Sequence, residues 1–119
     1  MFQQDWAKRQ IKVITDAIAM IIFRKAEISY EIQDEADHSE TDMLFVRLNK
    51  KLDDDNINEA EDMLFEAINP NDTNYLLLAV DFYQRLNEKS DDELELCGFS
   101  RSEIEDGLNE IMEIFGISL

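Results

Sequence analysis

Glycine, proline, cysteine and histidine are all scarce in this chain: three, one, one and one among 119 residues. Each scarcity excludes something. Sheets and loop-rich folds place glycine and proline at their turns, so a chain this poor in both is expected to be helices joined by short polar connections. One cysteine, Cys97, rules out an internal disulfide and suits a reducing compartment. So few glycines leave little to cradle a phosphate, and no G-x-x-x-x-G-K-S/T occurs. Long apolar runs are missing as well. The longest, Ala17 to Phe23, has seven residues, against about 20 for a membrane-spanning helix. Asp16 interrupts the stretch after Lys8, Arg9 and Lys12, and no small-x-small cleavage site follows, so the N-terminus reads as neither signal peptide nor anchor.

Basic side chains are the last shortage, and they are unevenly placed. Eleven Lys and Arg against 28 Asp and Glu leave a net charge of −17. Yet residues 1–26 hold five basic side chains (Lys8, Arg9, Lys12, Arg24, Lys25) against Asp5 and Asp16, a net +3, so the remainder carries −20. Such an acidic body would be repelled by anionic lipid and by a polyphosphate backbone, so neither membrane nor nucleic acid is an expected partner. The charge either keeps a small cytoplasmic protein dispersed or attracts a basic protein. A hydrophobic content of 45% with one Trp, three Tyr and seven Phe argues against disorder, and the length suits a single domain.

What is present is helical periodicity. A first helix is expected from about Gln3 to Lys25. Ile11, Ile14, Ile18 and Ile21 repeat at 3-4-3 spacing, Val13, Ala17 and Met20 widen the stripe, and Trp6 extends it. With Ala19 and Phe23 on the far side, this helix is apolar nearly all round. It must run through the middle of the domain, or a second copy must cover what the domain leaves bare. Ile28, Tyr30 and Ile32 alternate with polar residues, the period of a strand. No other segment alternates, so 27–40 is read as an extended acidic connector, with pairing to a symmetry mate as the alternative.

Residues 41–119 read as acidic helical hairpins. Ser39 or Thr41 caps a helix burying Leu44, Phe45, Leu48 and Leu52, ended by Asp53-Asp54-Asp55. Asn56 with Glu59 opens a third, burying Ile57, Ala60, Leu64, Ala67 and Ile68. After the Asn69-Pro70-Asn71-Asp72 turn, a fourth runs from about Thr73 to Asn87 with Tyr75, Leu78, Ala79, Phe82 and Leu86 inward. Ser90 with Glu93, and Ser100 with Glu103, are capping boxes for a short helix stopped by Gly98 and a last helix ending at Gly116. The last one turns Ile104, Leu108, Ile111, Met112 and Phe115 inward.

No motif reaches a named chemistry. Asp34-Glu35-Ala36-Asp37-His38 resembles a helicase acidic box, which is idle without a phosphate loop, and is read as a solvated loop. Glu35-x-x-His38 has di-metal spacing, but such a site needs a second pair and two more glutamates, and His38 is the single histidine. Counting from Asp53 as an EF-hand loop puts Asn58 where glycine is required and Leu64 where glutamate is. Cys97 lies near a helix end in acidic surroundings, which do not activate a thiol, so it is read as a small core residue. No catalytic, cofactor-binding or metal-ligating residue is therefore assigned, and no cofactor is expected.

Two resemblances add to this. Residues 41–74 have the length of one tetratricopeptide unit, with Ala60, Leu64 and Ala67 at that motif's spacing, but the next 34 residues do not repeat it. The blocks Phe2-Gln-Gln-Asp-Trp6, Arg9-Gln-Ile11, Tyr30-Glu-Ile32, Ile57-Asn-Glu-Ala-Glu61 and Asp81-Phe-Tyr-Gln-Arg-Leu-Asn87 leading into Phe99-Ser100 resemble a family of short acidic proteins of unknown function from Gram-positive bacteria. That resemblance spans nearly the whole chain and implies a bacterial cytoplasmic setting. It supplies no activity and no site residues.

The expectation is one all-α domain of five or six helices around a long N-terminal helix, with a helical-hairpin middle. The expected function is a non-catalytic interaction or scaffold protein that forms a homodimer. Trp6, Ile11, Ile14, Ile18, Ile21 and Phe23 are expected in the core or the dimer seam. The alternative is an acidic regulator that imitates nucleic acid on a basic protein surface, with an orphan enzyme third.

Overall fold

A computed structural model describes residues 2–32 and 39–119; the Asp34–His38 motifs therefore lie outside the described residues. Among the described residues six α-helices follow one another: α1 Phe2–Ile18, α2 Glu40–Asp53, α3 Ile57–Ala67, α4 Thr73–Glu88, α5 Asp91–Leu96 and α6 Arg101–Phe115. No strand forms among the described residues.

The start and stop signals act largely where the chemistry of the residues requires. Ser39 accepts a hydrogen bond from the Asp42 amide at 3.1 Å and caps α2. Ser90–Glu93 and Ser100–Glu103 both close reciprocal capping boxes. Gly98 and Gly116 take left-handed φ of 68° and 69° after α5 and α6, a conformation that spares a residue without a β-carbon any strain. The Asn69–Asp72 turn closes with the Asp72 amide on the Asn69 carbonyl at 3.1 Å. Asn56 departs from expectation: it precedes α3 but its side chain makes no cap bond.

Helix α4 forms the axis of the core. Ten of its residues are buried, including Leu76, Val80, Asp81, Tyr83 and Asn87 besides the expected face. The α2–α3 hairpin packs on one side, contributing Leu44, Leu48, Ile57, Ala60 and Leu64. Ala67, expected inward, is exposed, because α3 ends there and Ile68 turns back as its cap. On the other side lie α1 and α6, the latter through Ile104, Leu108 and Ile111.

Among the described residues, 28–32 form an extended connector rather than a strand. The Tyr30 amide donates to buried Asp81 Oδ1 at 3.1 Å, the Tyr30 hydroxyl donates to Asp42 Oδ1 at 2.6 Å, and Gln84 Nε2 donates to the Ile28 carbonyl at 2.8 Å. Its alternation is satisfied by helices: Ile28 and Tyr30 face the core while Glu27, Ser29 and Glu31 face water. The Tyr30 ring rests 4.9 Å from that of Phe45, which in turn lies under the Arg85 guanidinium.

Candidate interaction surface

The apolar surface of α1 divides into two faces. Ile11 and Ile18 are fully buried against α4 and α6, and Ile14 and Phe23 are partly buried on the same core. Trp6 and Ile21 are not: 60% and 55% of each is exposed. Five residues separate Trp6 from Ile11, which turns it about 140° round the helix and away from the core. Ile21 is displaced by a different cause. The chain from Ala19 to Phe23 widens into a π turn ended by Arg24 with φ 57°, and this breaks the 3.6-residue period that would stack Ile21 under Ile14 and Ile18.

The outward face is consequently apolar and bare. Trp6, Val13 and Met20 stand seven residues apart, with Val13 61% and Met20 56% exposed, and Ile21 and Ile22 continue the patch. Half-exposed Gln10 and Ala17 lie between them. One edge is charged: Arg9, Lys12 and Asp16, with Lys12 Nζ 3.0 Å from Asp16 Oδ2. That hydrogen bond and charge raise the Lys12 ammonium above its ordinary value.

A cleft of about 440 Å³ opens beside this edge, between α1, the connector and α4. Three of its polar side chains bind backbone carbonyls. Asn87 Nδ2 donates to the Lys8 carbonyl at 3.0 Å, Thr15 Oγ1 to the Lys12 carbonyl at 3.0 Å, and Gln84 to Ile28. The arrangement ties α1 and the connector to α4.

A second groove, of about 350 Å³, is acidic. Glu61 and Asp62 of α3 face Glu103, Asp106 and Glu110 of α6 across Phe65 and Gly107. Burial pushes the Glu61 carboxyl up, and Glu103, Asp62 and Glu110 push it further, while a 2.6 Å hydrogen bond from Tyr83 opposes them. Tyr83, wholly buried, is raised far above the ordinary phenol range by burial and by Glu61, so it stays a donor.

Sequence reasoning missed the buried polar residues that hold these surfaces in place. Arg101 donates to the Asn87 carbonyl at 2.8 Å, Asn87 Oδ1 at 3.1 Å, Asp91 Oδ1 at 3.1 Å and the Lys89 carbonyl. A signal existed: a cation in the first turn of α6 opposes the helix dipole and calls for another reason to be there. Asp81 sits in the apolar run of α4, 3.0 Å from Arg85 Nε, and burial raises its carboxyl.

The acidic turn and the cysteine, in which the sequence shows no working site, are ordinary in geometry. Asp53 ends α2 and Asp54 and Asp55 form the turn after it, all three exposed, with Asp55 at φ 61°. Cys97 is partly buried against the core, and burial followed by Asp55 raises its thiol. Among the described residues no group of three His, Cys, Asp or Glu is placed to hold a metal, and no helix is long and apolar enough to cross a membrane. Residues 1–116 match the model of a family described as a family of unknown function (DUF6483). No curated protein and no solved structure matches the chain.

Proposed function

The chain belongs to that family of unknown function, and we propose from its own geometry that it is a non-catalytic interaction protein that self-associates through the outward face of α1. The observation that carries this reading is the bare patch of Trp6, Val13, Met20, Ile21 and Ile22. Contiguous apolar surface of this kind on a small protein marks an interaction site. It also lies within residues 1–26, whose net charge is +3 against −20 for the remainder, so a second copy of this acidic chain meets less repulsion there. Thr15, Gln84 and Asn87 in the 440 Å³ cleft are spent on holding α1 and the connector to α4, which supports a structural use of that cleft. A single cysteine supports a reducing, cytoplasmic setting, and the family resemblance supports a bacterial one.

Light scattering over a dilution series tests the reading. It predicts twice the monomer mass of 13.9 kDa at high concentration, falling towards the monomer on dilution. A constant monomer mass would sink it.

The α3–α6 groove favours a second reading, in which the acidic body binds a basic protein surface. Five carboxylates converge there around Phe65. Binding through such a surface weakens steeply with salt. Recovery of only neutral partners, unaffected by salt, would count against it.

A further inference from the structure

We infer that two copies of this chain pair their α1 helices antiparallel, about a two-fold axis at Val13. This rests on the self-association reading above and specifies its register. Across such an axis, residues equally far before and after Val13 come level. Trp6 lies seven residues before Val13 and Met20 seven after, both exposed. Each indole therefore meets Met20 of the second copy, a favourable sulfur–aromatic contact, and the two Val13 side chains meet at the centre.

The charges select the direction. Arg9 stands four residues before Val13 and Asp16 three after, so across the axis they differ in height by only about 1.5 Å. Both lie on the same edge of the seam, within about 60° of Val13 round the helix. A two-fold axis perpendicular to the helix pair keeps that edge on one side in both copies. Arg9 of each copy then faces Asp16 of the other, making two equivalent ion pairs. In a parallel pair the axis runs along the helices and places the Arg9–Asp16 edge of each copy beside uncharged Gln10 and Ala17 of the other, so neither ion pair forms. Asp16 already holds Lys12 of its own helix, and a carboxylate has lone pairs for both cations.

Charge reversal tests the register without touching the core, since Arg9 is exposed and Asp16 half-exposed. The dissociation constants of wild type, Arg9→Glu, Asp16→Arg and the double variant are measured by sedimentation, with circular dichroism to confirm the fold of each. Either single reversal is expected to weaken the dimer about tenfold, as two rim pairs turn from attraction to repulsion. The double variant is expected to return to within about threefold of wild type, the pairs being restored with their signs exchanged. A wild-type dimer that is indifferent to Arg9→Glu, or a double variant no tighter than the singles, overturns the antiparallel register and leaves self-association standing. A wild type that is monomeric throughout overturns both.

Discussion

Tyr83 and Gly107 approach so closely that a β-carbon on residue 107 would stand 2.2 Å from the tyrosine hydroxyl oxygen. The ring carbons follow at 2.4 and 2.8 Å. Tyr83 is wholly buried and its hydroxyl is anchored on Glu61, so it has little room to withdraw. This contact joins α3, α4 and α6 at one point.

Gly107→Ala should therefore destabilise the fold, although alanine is the better helix former by about 1 kcal/mol. Overpacking of a buried ring costs about 1–3 kcal/mol, and it is expected to win. Urea unfolding is the check; a variant as stable as wild type would show that Tyr83 can shift freely.

Glu61 gives the protein a pH dependence of definite sign. A carboxyl raised in the folded state holds its proton longer there than in the unfolded chain. Its stabilising contribution is present at low pH and is lost as pH rises from the ordinary value of 4.5 through the raised one. Buried Asp81, raised from 3.8, acts in the same direction. Glu61→Gln keeps an oxygen for Tyr83 and removes the charge, so it should melt higher than wild type at neutral pH. Because Glu61 is half-exposed, the gain should stay below about 1 kcal/mol. The difference should narrow as pH falls towards 4.5; a gap independent of pH would contradict the assignment.

Arg101 should be among the least replaceable polar residues. Arg101→Met leaves the Asn87 and Lys89 carbonyls and Asp91 without their shared donor, at a cost of about 2–4 kcal/mol. Arg101→Lys keeps the charge but loses the fork that reaches several acceptors at once, and should recover only part of the loss. Thermal unfolding of the three proteins should rank them wild type, lysine, methionine.

Helix order and most helix ends were legible in the sequence because they depend on local chemistry. The end of α1, expected near Lys25, was not, since the α-helix stops at Ile18 and widens into a π turn from Ala19 to Phe23. Ser90, Ser100, Gly98 and Gly116 act on backbone groups within a few residues, and a local pattern suffices to find them. Tertiary choices were not legible. The isoleucine spacing of α1 placed Ile11 and Ile18 correctly in an apolar surface, yet could not say that Trp6 and Ile21 point the other way. Periodicity reports that a face is apolar; which apolar face meets the core depends on α4 and α6, and on a π turn that the sequence does not announce. The same limit bears on how association is probed. A charge at Ile18 would test folding, since that side chain is fully buried, whereas exposed Val13 reports on association alone.

Trp6 is the single tryptophan of the chain and sits on the proposed seam. Its fluorescence therefore reads the central claim without any substitution. Self-association through α1 predicts that raising the protein concentration shifts Trp6 emission to the blue and protects it from acrylamide, in step with the rise in mass. Emission and quenching that stay constant while the mass doubles would place the interface elsewhere, and constancy of all three would show that the face is not a site of self-association.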